Sequence, residues 1–222
     1  MKKSMFFVLT AACTFAVQAA DDKEKADERV KESVSVLTEM AGAPDKGVPA
    51  SVLQKASCIV VIPGLKKGGF IVTAQYGSGY ATCRTGKGWS APLAMKMEGG
   101  GVGLQAGGSA VDIILLVMNQ KGMDRLTGSK FTLGGEASIA AGPVGRDAQA
   151  MTDATMKAEI LSYSRSRGVF GGISLKGSTL RPDDDTNQAL YGKNVDAKAV
   201  LHGQVPAPPQ VREFVAAAKK VG

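Results

Sequence analysis

The first half of the chain contains a glycine-rich stretch whose basic and aromatic side chains could bind phosphate at a membrane. Cations attract lipid phosphates, and an amphipathic aromatic ring suits the interfacial zone of a bilayer. Residues 59–93 contain no His, Asp or Glu, so the stretch predicts binding rather than acid–base catalysis. Its candidate lipid-binding residues are Lys66, Lys67, Arg84, Lys87, Phe70 and Trp89.

A second basic pair follows much later in the chain. Arg165 precedes an expected hairpin turn at residues 166–168 and Arg167 lies within it, and we take the two as the second candidate site for headgroup phosphates. The alternative for the first site is that its basic residues are solvated turn residues. In that case Trp89, the single tryptophan, belongs to the hydrophobic core.

The residues that could perform catalysis are few. His202 is the single histidine, and no G-x-S-x-G motif offers a nucleophile. Residues 183–185 are three aspartates, but they lack the spacing of a calcium loop and fit a helix cap better. An enzyme would need Glu98, Asp112 and Glu136 to share a pocket, and a paired or capping role suits Asp112 better. We therefore expect no catalytic site, no metal site and no cofactor.

Residues 98–108 (EGGGVGLQAGG) are rich in glycine, as nucleotide-binding loops are. The spacing of a dinucleotide motif fails at Ala106, and an apolar strand pattern follows instead of a helix. We interpret these glycines as sites of tight turns and close backbone packing.

The charge of the chain is unevenly distributed. Residues 21–39 carry seven acidic and four basic side chains, whereas 21 basic and 13 acidic side chains follow them. A basic body attracts partners that carry phosphate. For an exported protein the expected partner is anionic phospholipid or a membrane surface rather than nucleic acid. The alternative is a non-catalytic scaffold in the cell envelope that docks a protein partner.

The N-terminus has the features of a signal peptide. Lys2 and Lys3 precede an apolar run over residues 5–17, and Val17 and Ala19 offer small side chains at the −3 and −1 sites for cleavage after Ala19. We therefore expect a signal peptide at residues 1–19, a single domain at 20–222, and a location in the periplasm or cell envelope. A lipoprotein signal at Cys13 fits less well, because Thr10 occupies the position where Leu is usual.

The remaining sequence alternates between helical and strand patterns. Apolar residues at three- and four-residue steps predict a helix over residues 22–41. Capping and proline signals predict helices at 50–56, 186–190, 197–201 and after Pro208. Expected strands are 58–62, 69–75, 80–85, 89–97, 101–107, 111–118, 131–141, 158–165 and 169–175, with 111–118 central and buried. Lys66 and Lys67 are expected at a turn. The fold class is α+β, with a mostly antiparallel, glycine-rich, barrel-like sheet flanked by N- and C-terminal helices.

Two cysteines, Cys58 and Cys83, remain after the expected cleavage. If residues 59–62, 70–75 and 80–85 form a meander, the cysteines lie on its outer strands, about 9.6 Å apart. That separation favours reduced cysteines, while an oxidising compartment would permit a disulfide. The sequence leaves the choice open.

Eight motifs in order resemble the SYLF-domain family, in its stand-alone exported bacterial form. They are residues 56–64 (ASCIVVIPG), 67–70 (KGGF), 76–79 (YGSG), 89–92 (WSAP), 101–107 (GVGLQAG), 140–145 (AAGPVG), 163–172 (YSRSRGVFGG) and 191–192 (YG). The resemblance covers nearly all of residues 20–222. It implies binding of anionic phospholipids and no catalysis, with actin binding attributed to some eukaryotic members. In a bacterial envelope the available anions would be phosphatidylglycerol or cardiolipin.

Overall fold

The computed structural model describes residues 7–43, 47–69, 72–102, 107–144, 157–166, 169–172 and 175–222. The helices are α1 (Phe7–Ala41), α2 (Ala50–Lys55), α3 (Gln120–Leu126), α4 (Asp184–Tyr191), α5 (Ala197–Leu201) and α6 (Arg212–Val221), with a 3₁₀ turn at Pro209–Val211. The strands are β1 (Cys58–Gly69), β2 (Val72–Thr85), β3 (Gly88–Trp89), β4 (Leu93–Val102), β5 (Gly107–Val117), β6 (Phe131–Thr132), β7 (Ile139–Ala141), β8 (Ile160–Ser166), β9 (Val169–Gly172) and β10 (Thr179–Pro182).

The strands form one curled sheet, a half-barrel, flanked by the N- and C-terminal helices. Its main path runs β6-β10-β4-β2-β1-β5-β8-β7, while β3 pairs with β2 and β9 pairs with β8. The β7–β8 pair is parallel and the other strand pairs described are antiparallel. The α+β prediction is therefore confirmed, and so is the buried central strand, because β5 lies between β1 and β8.

The sheet packs on both faces, because successive strand side chains point to opposite sides. On one side, here called the helix face, Val61 and Ile114 pack in the same cluster as residues of α1, α2 and α6. The opposite face carries Val60 and Ile113, which pack with residues of α3 and α5. All four of these side chains are fully buried. Two hydrophobic cores thus hold the central strands rigidly in place.

Helix α1 lies across four strands of the helix face. The Tyr80 hydroxyl on β2 donates to the Ala26 carbonyl at 3.1 Å. Near the other end of the helix, the Glu39 carboxylate pairs with Arg165 on β8. The path from β2 to β8 passes over β1 and β5, so α1 spans the middle of the sheet.

The expected turn at Lys66 and Lys67 is wrong, because both residues lie within β1. Strands β1 and β2 form one long hairpin instead of parts of a three-stranded meander. Gly77 and Gly79 have a packing role: a Cβ there would lie 2.7 Å from the Ile62 side chain and 1.8 Å from the Val61 carbonyl oxygen, respectively. Close approach of the two strands, rather than a turn, explains this glycine pattern.

The separation expected between the cysteines is wrong for the same reason. Cys58 and Cys83 are direct partners in the β1–β2 register, with no strand between them. They form a disulfide with a Cα–Cα distance of 4.0 Å, and both side chains are fully buried.

The predicted helices are confirmed, with one change of length. Helix α1 begins at Phe7 instead of residue 22, since the preceding run is rich in alanine, a strong helix former. Cleavage after Ala19 would fall within this helix and stays a prediction. Among the residues described, no helix is both long and apolar enough to span a membrane. The Asp183 and Asp196 side chains cap α4 and α5 as expected.

Two elements escaped the sequence analysis. Helix α3 begins after Asn119, whose side chain accepts a hydrogen bond from Gly122 N. Strand β10 pairs with β4 and β6, and its four residues alternate in burial, but the run is too short to predict a strand from sequence. The expected strand over residues 131–141 is divided into β6 and β7, because Gly134 adopts a positive φ of 80° in an intervening turn.

Candidate functional site

The candidate residues of the first site lie at two distant parts of the sheet. Lys66 is opposite Tyr76 on β2, and Arg84 lies eight residues farther along that strand. At about 3.3 Å per residue the two positions are about 26 Å apart. Lys87 and Trp89 lie near Arg84. Phe70 and Arg167 are outside the described residues.

Lys66 and Lys67 point to opposite faces of the sheet, although they are neighbours in sequence. The exposed Lys66 shares the helix face with its partner Tyr76, whose side chain is 49% exposed. Lys67 pairs with Gln75 on the opposite face, and burial lowers the pKa of its ammonium group. Lys66 is therefore the better solvated of the two cations, and it stands beside an amphipathic ring.

Arg84 anchors the end of the chain. Its guanidinium donates to the carbonyl oxygens of Ala56 at 2.9 Å and Gly222 at 2.7 Å. It also lies 4.5 Å from the centre of the half-buried Trp89 ring, a cation–π contact. Lys87 is exposed in the turn between them. The structure thus places Arg84 and Trp89 in the packing of α6 and the C-terminus against β2 and β3.

Arg165 belongs to an ion network on the helix face. Its Nε and Nη2 atoms donate to Asp112 Oδ2 at 2.9 and 2.7 Å, and Nη1 pairs with Glu39 of α1. Asp112 Oδ1 accepts from Gly64 N at 2.9 Å. Burial lowers the pKa of Arg165, but the bonds and charges of Asp112 and Glu39 outweigh it, so the pKa is raised. The paired role expected for Asp112 is confirmed.

A cleft of about 440 Å³ opens on the helix face, beside Tyr76. We call it the basic cleft, since α1 and β4 contribute three cations to its wall. Strand β2 and α4 with its capping residue form the rest of the wall. Its lining residues are Lys25, Arg29, Tyr76, Ser78, Lys96, Asp183, Asp185, Thr186 and Ala189.

The charges in the basic cleft are only partly paired. Lys96 Nζ lies 2.8 Å from Asp183 Oδ1 and 3.7 Å from Asp185 Oδ2. Burial lowers the pKa of Lys96, but the Asp183 bond and the neighbouring carboxylates together raise it. Arg29 makes no hydrogen bond or ion pair with any residue that the structure describes. Burial raises the pKa of Tyr80, and the nearby Arg29 guanidinium opposes that rise.

Sequence reasoning missed the cations of this cleft. Lys25 and Arg29 are four residues apart, so they share one side of α1, and this spacing was visible in the sequence. Tyr76, Ser78 and Tyr80 occupy every second position, which places their side chains on one face of a strand. The meeting of these residues with Lys96 depends on how α1 crosses the sheet, and no local pattern encodes that.

The three carboxylates that an enzyme would need do not share a pocket. Glu98 pairs with Arg181 at 2.9 Å, Asp112 pairs with Arg165, and Glu136 accepts from Thr132 N at 2.7 Å. Glu98 and Asp112 are three strands apart in the sheet, about 14 Å. Within the described ranges, no group of three or more His, Cys, Asp or Glu side chains could hold a metal ion.

Comparisons with known proteins agree on one family. The Ysc84 family model, described as "Las17-binding protein actin regulator", matches residues 98–221. The rat "SH3 domain-containing YSC84-like protein 1" is 34% identical over 195 residues, which is 87% of this chain and 56% of the rat protein.

Two yeast proteins are similar as well. The "SH3 domain-containing protein PJ696.02" of Schizosaccharomyces pombe is 39% identical over 165 residues, 72% of this chain and 38% of that protein. The "LAS seventeen-binding protein 3" of Saccharomyces cerevisiae is 36% identical over 171 residues, 75% of this chain and 37% of that protein. The chain thus spans about half the length of its animal relatives and less of the yeast ones.

Proposed function

The chain belongs to the Ysc84 family, whose domain is the SYLF domain, and from this premise we propose that it binds anionic phospholipid at a membrane surface. The contact surface is the helix face of the sheet around Lys66 and Tyr76. Binding is electrostatic, and it needs no enzyme chemistry and no cofactor.

The observation that carries this proposal is the arrangement of Lys66 and Tyr76. A solvated cation and a half-exposed aromatic ring stand opposite each other on neighbouring strands, on the face that also contains Arg29 and Lys96. A cation near an anionic membrane contributes about 1 kcal/mol to binding. Tyrosine is enriched at the headgroup level of membranes because its ring is apolar and its hydroxyl is polar.

The charge distribution supports the same proposal. Residues after 39 carry an excess of eight positive charges, whereas residues 21–39 have an excess of three negative charges. The body of the protein is therefore drawn to an anionic surface, and salt weakens that attraction.

A binding role rather than catalysis also suits the family. The family is described by the binding of Las17 and the regulation of actin rather than by a reaction. Each carboxylate considered for catalysis is engaged by a separate partner within the fold. The proposal therefore assigns no substrate turnover to this chain.

The membrane in question is that of a bacterial-type cell envelope. We propose export through the signal peptide at residues 1–19, which would bring the protein to the periplasm or cell envelope. Phosphatidylglycerol and cardiolipin are the anionic lipids that such an envelope offers.

A second candidate function is the docking of a protein partner. The name of the Saccharomyces cerevisiae relative states that it binds Las17, so a protein-binding role exists among the relatives. In this alternative the protein is a non-catalytic scaffold, and its association is insensitive to lipid charge.

The test compares charge reversals on the two faces of β1. Lys66→Glu should weaken binding to phosphatidylglycerol vesicles by about 30-fold, since losing one positive charge and gaining one negative charge costs about 2 kcal/mol. Lys67→Glu, on the opposite face, should weaken it less. Lys193→Glu is the matched control, because Lys193 is an exposed lysine beyond α4. Equal binding by the Lys66 and Lys193 variants would contradict the assignment of this surface.

A further inference from the structure

The basic cleft contains a cation whose charge no described group neutralises directly. Arg29 projects from α1 into the cleft, and within the described part of the chain it has neither a hydrogen-bond partner nor an ion pair. Its guanidinium presents five N–H donors in a planar fork that matches phosphate oxygens. Lys25, one helical turn earlier, lines the same wall.

The acidic side of the cleft is divided between a bound carboxylate and an exposed one. Asp183 accepts from Lys96 Nζ at 2.8 Å, Thr186 Oγ1 at 2.8 Å and Thr186 N at 3.2 Å, so its oxygens are occupied. The Asp185 side chain is 97% exposed, and it forms an ion pair with Lys96 at 3.7 Å. Asp185 is therefore the carboxylate at the rim with free acceptor capacity.

We propose that the basic cleft is a stoichiometric binding site for a phosphorylated polyol of the glycerophosphate class. The phosphate binds Arg29 and Lys25, with the Tyr76 hydroxyl, which accepts from Ser78 Oγ at 3.3 Å, as a further donor. A hydroxyl of the polyol donates to Asp185. Asp185 repels the phosphate of either ligand, but only the polyol adds a hydroxyl that donates to Asp185, so the cleft prefers the hydroxylated ester.

The dimensions of the cleft fit one such group. Its volume of about 440 Å³ lies within the ordinary range of small-ligand pockets, roughly 300–1,000 Å³. Either a phosphatidylglycerol headgroup or a soluble glycerol phosphate carries this chemistry. The inference goes beyond surface adsorption around Lys66, because it assigns a 1:1 pocket that works without a membrane.

Calorimetric titration of the full chain tests the proposal. The probes are sn-glycerol 3-phosphate, inorganic phosphate, and a short-chain phosphatidylglycerol below its micelle concentration. Glycerol 3-phosphate or the short-chain lipid should bind 1:1 and more tightly than inorganic phosphate, and the probe that binds identifies the source. Arg29→Met should lower the affinity at least tenfold, while Arg212→Met, at an exposed arginine on α6, should leave it unchanged.

The Asp185→Asn variant distinguishes specific binding in the cleft from non-specific attraction by the positive charge of the protein. It should strengthen the binding of inorganic phosphate by a few-fold and reduce the preference for the hydroxylated probe. Failure of both hydroxylated probes to bind more tightly than inorganic phosphate would overturn the proposal, as would equal effects of the Arg29 and Arg212 variants. These titrations contain no vesicles, so their failure is distinguishable from failure of membrane binding.

Discussion

Lys66 lies directly opposite Tyr76 across the β1–β2 pair, and both side chains are exposed on the helix face. Directly opposed strand residues have Cβ atoms about 5 Å apart. The cation and the ring are therefore close enough to contact the same headgroup region.

From this relationship we expect Tyr76→Ser to weaken binding to anionic vesicles by about fivefold. The loss corresponds to about 1 kcal/mol of buried ring area. Tyr76→Trp should preserve binding, because tryptophan occupies the same interfacial zone. Sedimentation with phosphatidylglycerol vesicles measures both variants. If the serine variant bound as tightly as the tryptophan variant, the ring would have no role in the contact.

Arg165→Met should destabilise the fold by about 2 kcal/mol, because it leaves the partly buried Asp112 carboxylate without its guanidinium partner. Denaturant unfolding measures the change. A double variant with Asp112→Leu should recover part of the loss, since no unpaired charge then remains. We expect vesicle binding by the folded Arg165→Met protein to be unchanged. A loss of lipid binding at unchanged stability would instead make Arg165 a headgroup ligand.

Removing the Cys58–Cys83 disulfide should cost about 3 kcal/mol of stability, because it frees a loop with a sequence separation of 25 in the unfolded chain. Urea unfolding with and without a thiol reductant measures the difference. The double variant Cys58→Ala and Cys83→Ala should unfold at the same urea midpoint as the reduced protein. Reductant should not change the midpoint of this variant. If reductant left the midpoint of the native chain unchanged, the cross-link would not contribute to stability.

Trp89 provides an internal optical probe, since it is the single tryptophan of the chain. It packs against Arg84, far from Lys66, so its emission should stay constant when vesicles are added. Arg84→Met should shift that emission and lower the free energy of unfolding by about 2 kcal/mol, because three carbonyl hydrogen bonds are lost. Lys87→Met, in the neighbouring turn, is the control and should change neither. A vesicle-induced blue shift would place Trp89 at the membrane.

The sequence predicted much of the fold, because most helices and strands carry local signals. The apolar run in β5 and the caps at Asp183 and Asp196 lie where they were expected. Strand lengths were less predictable, because Gly77 and Gly79 resemble turn residues in sequence although they serve close strand packing. Gly64, Gly68 and Gly69 resemble turn residues in the same way, and they produced the expected turn at Lys66. The two expected turns together separated the cysteines.

The candidate site was less predictable than the fold. Basic residues could be identified in the sequence, but the face of the sheet that each one occupies depends on the strand register. In β1 that register shifts between Val61 and Lys66, so the sequence does not reveal the face. The contacts of Arg84 with Gly222 and of Arg165 with Glu39 join residues more than 100 positions apart. Only the assembled fold distinguishes these anchored arginines from Lys66.

The most direct test of the proposed function is sedimentation of residues 20–222 with vesicles across a salt series. The first nineteen residues are omitted because their apolar run could itself enter a bilayer. Vesicles of neutral phosphatidylcholine and of anionic phosphatidylglycerol are compared from about 0.05 to 0.5 M salt. Over this range the Debye length, the distance over which charges interact, shortens about threefold. We expect binding to the anionic vesicles alone, falling steeply with salt. Binding to neither vesicle, or equal binding to both at every salt concentration, would contradict recognition of anionic lipid.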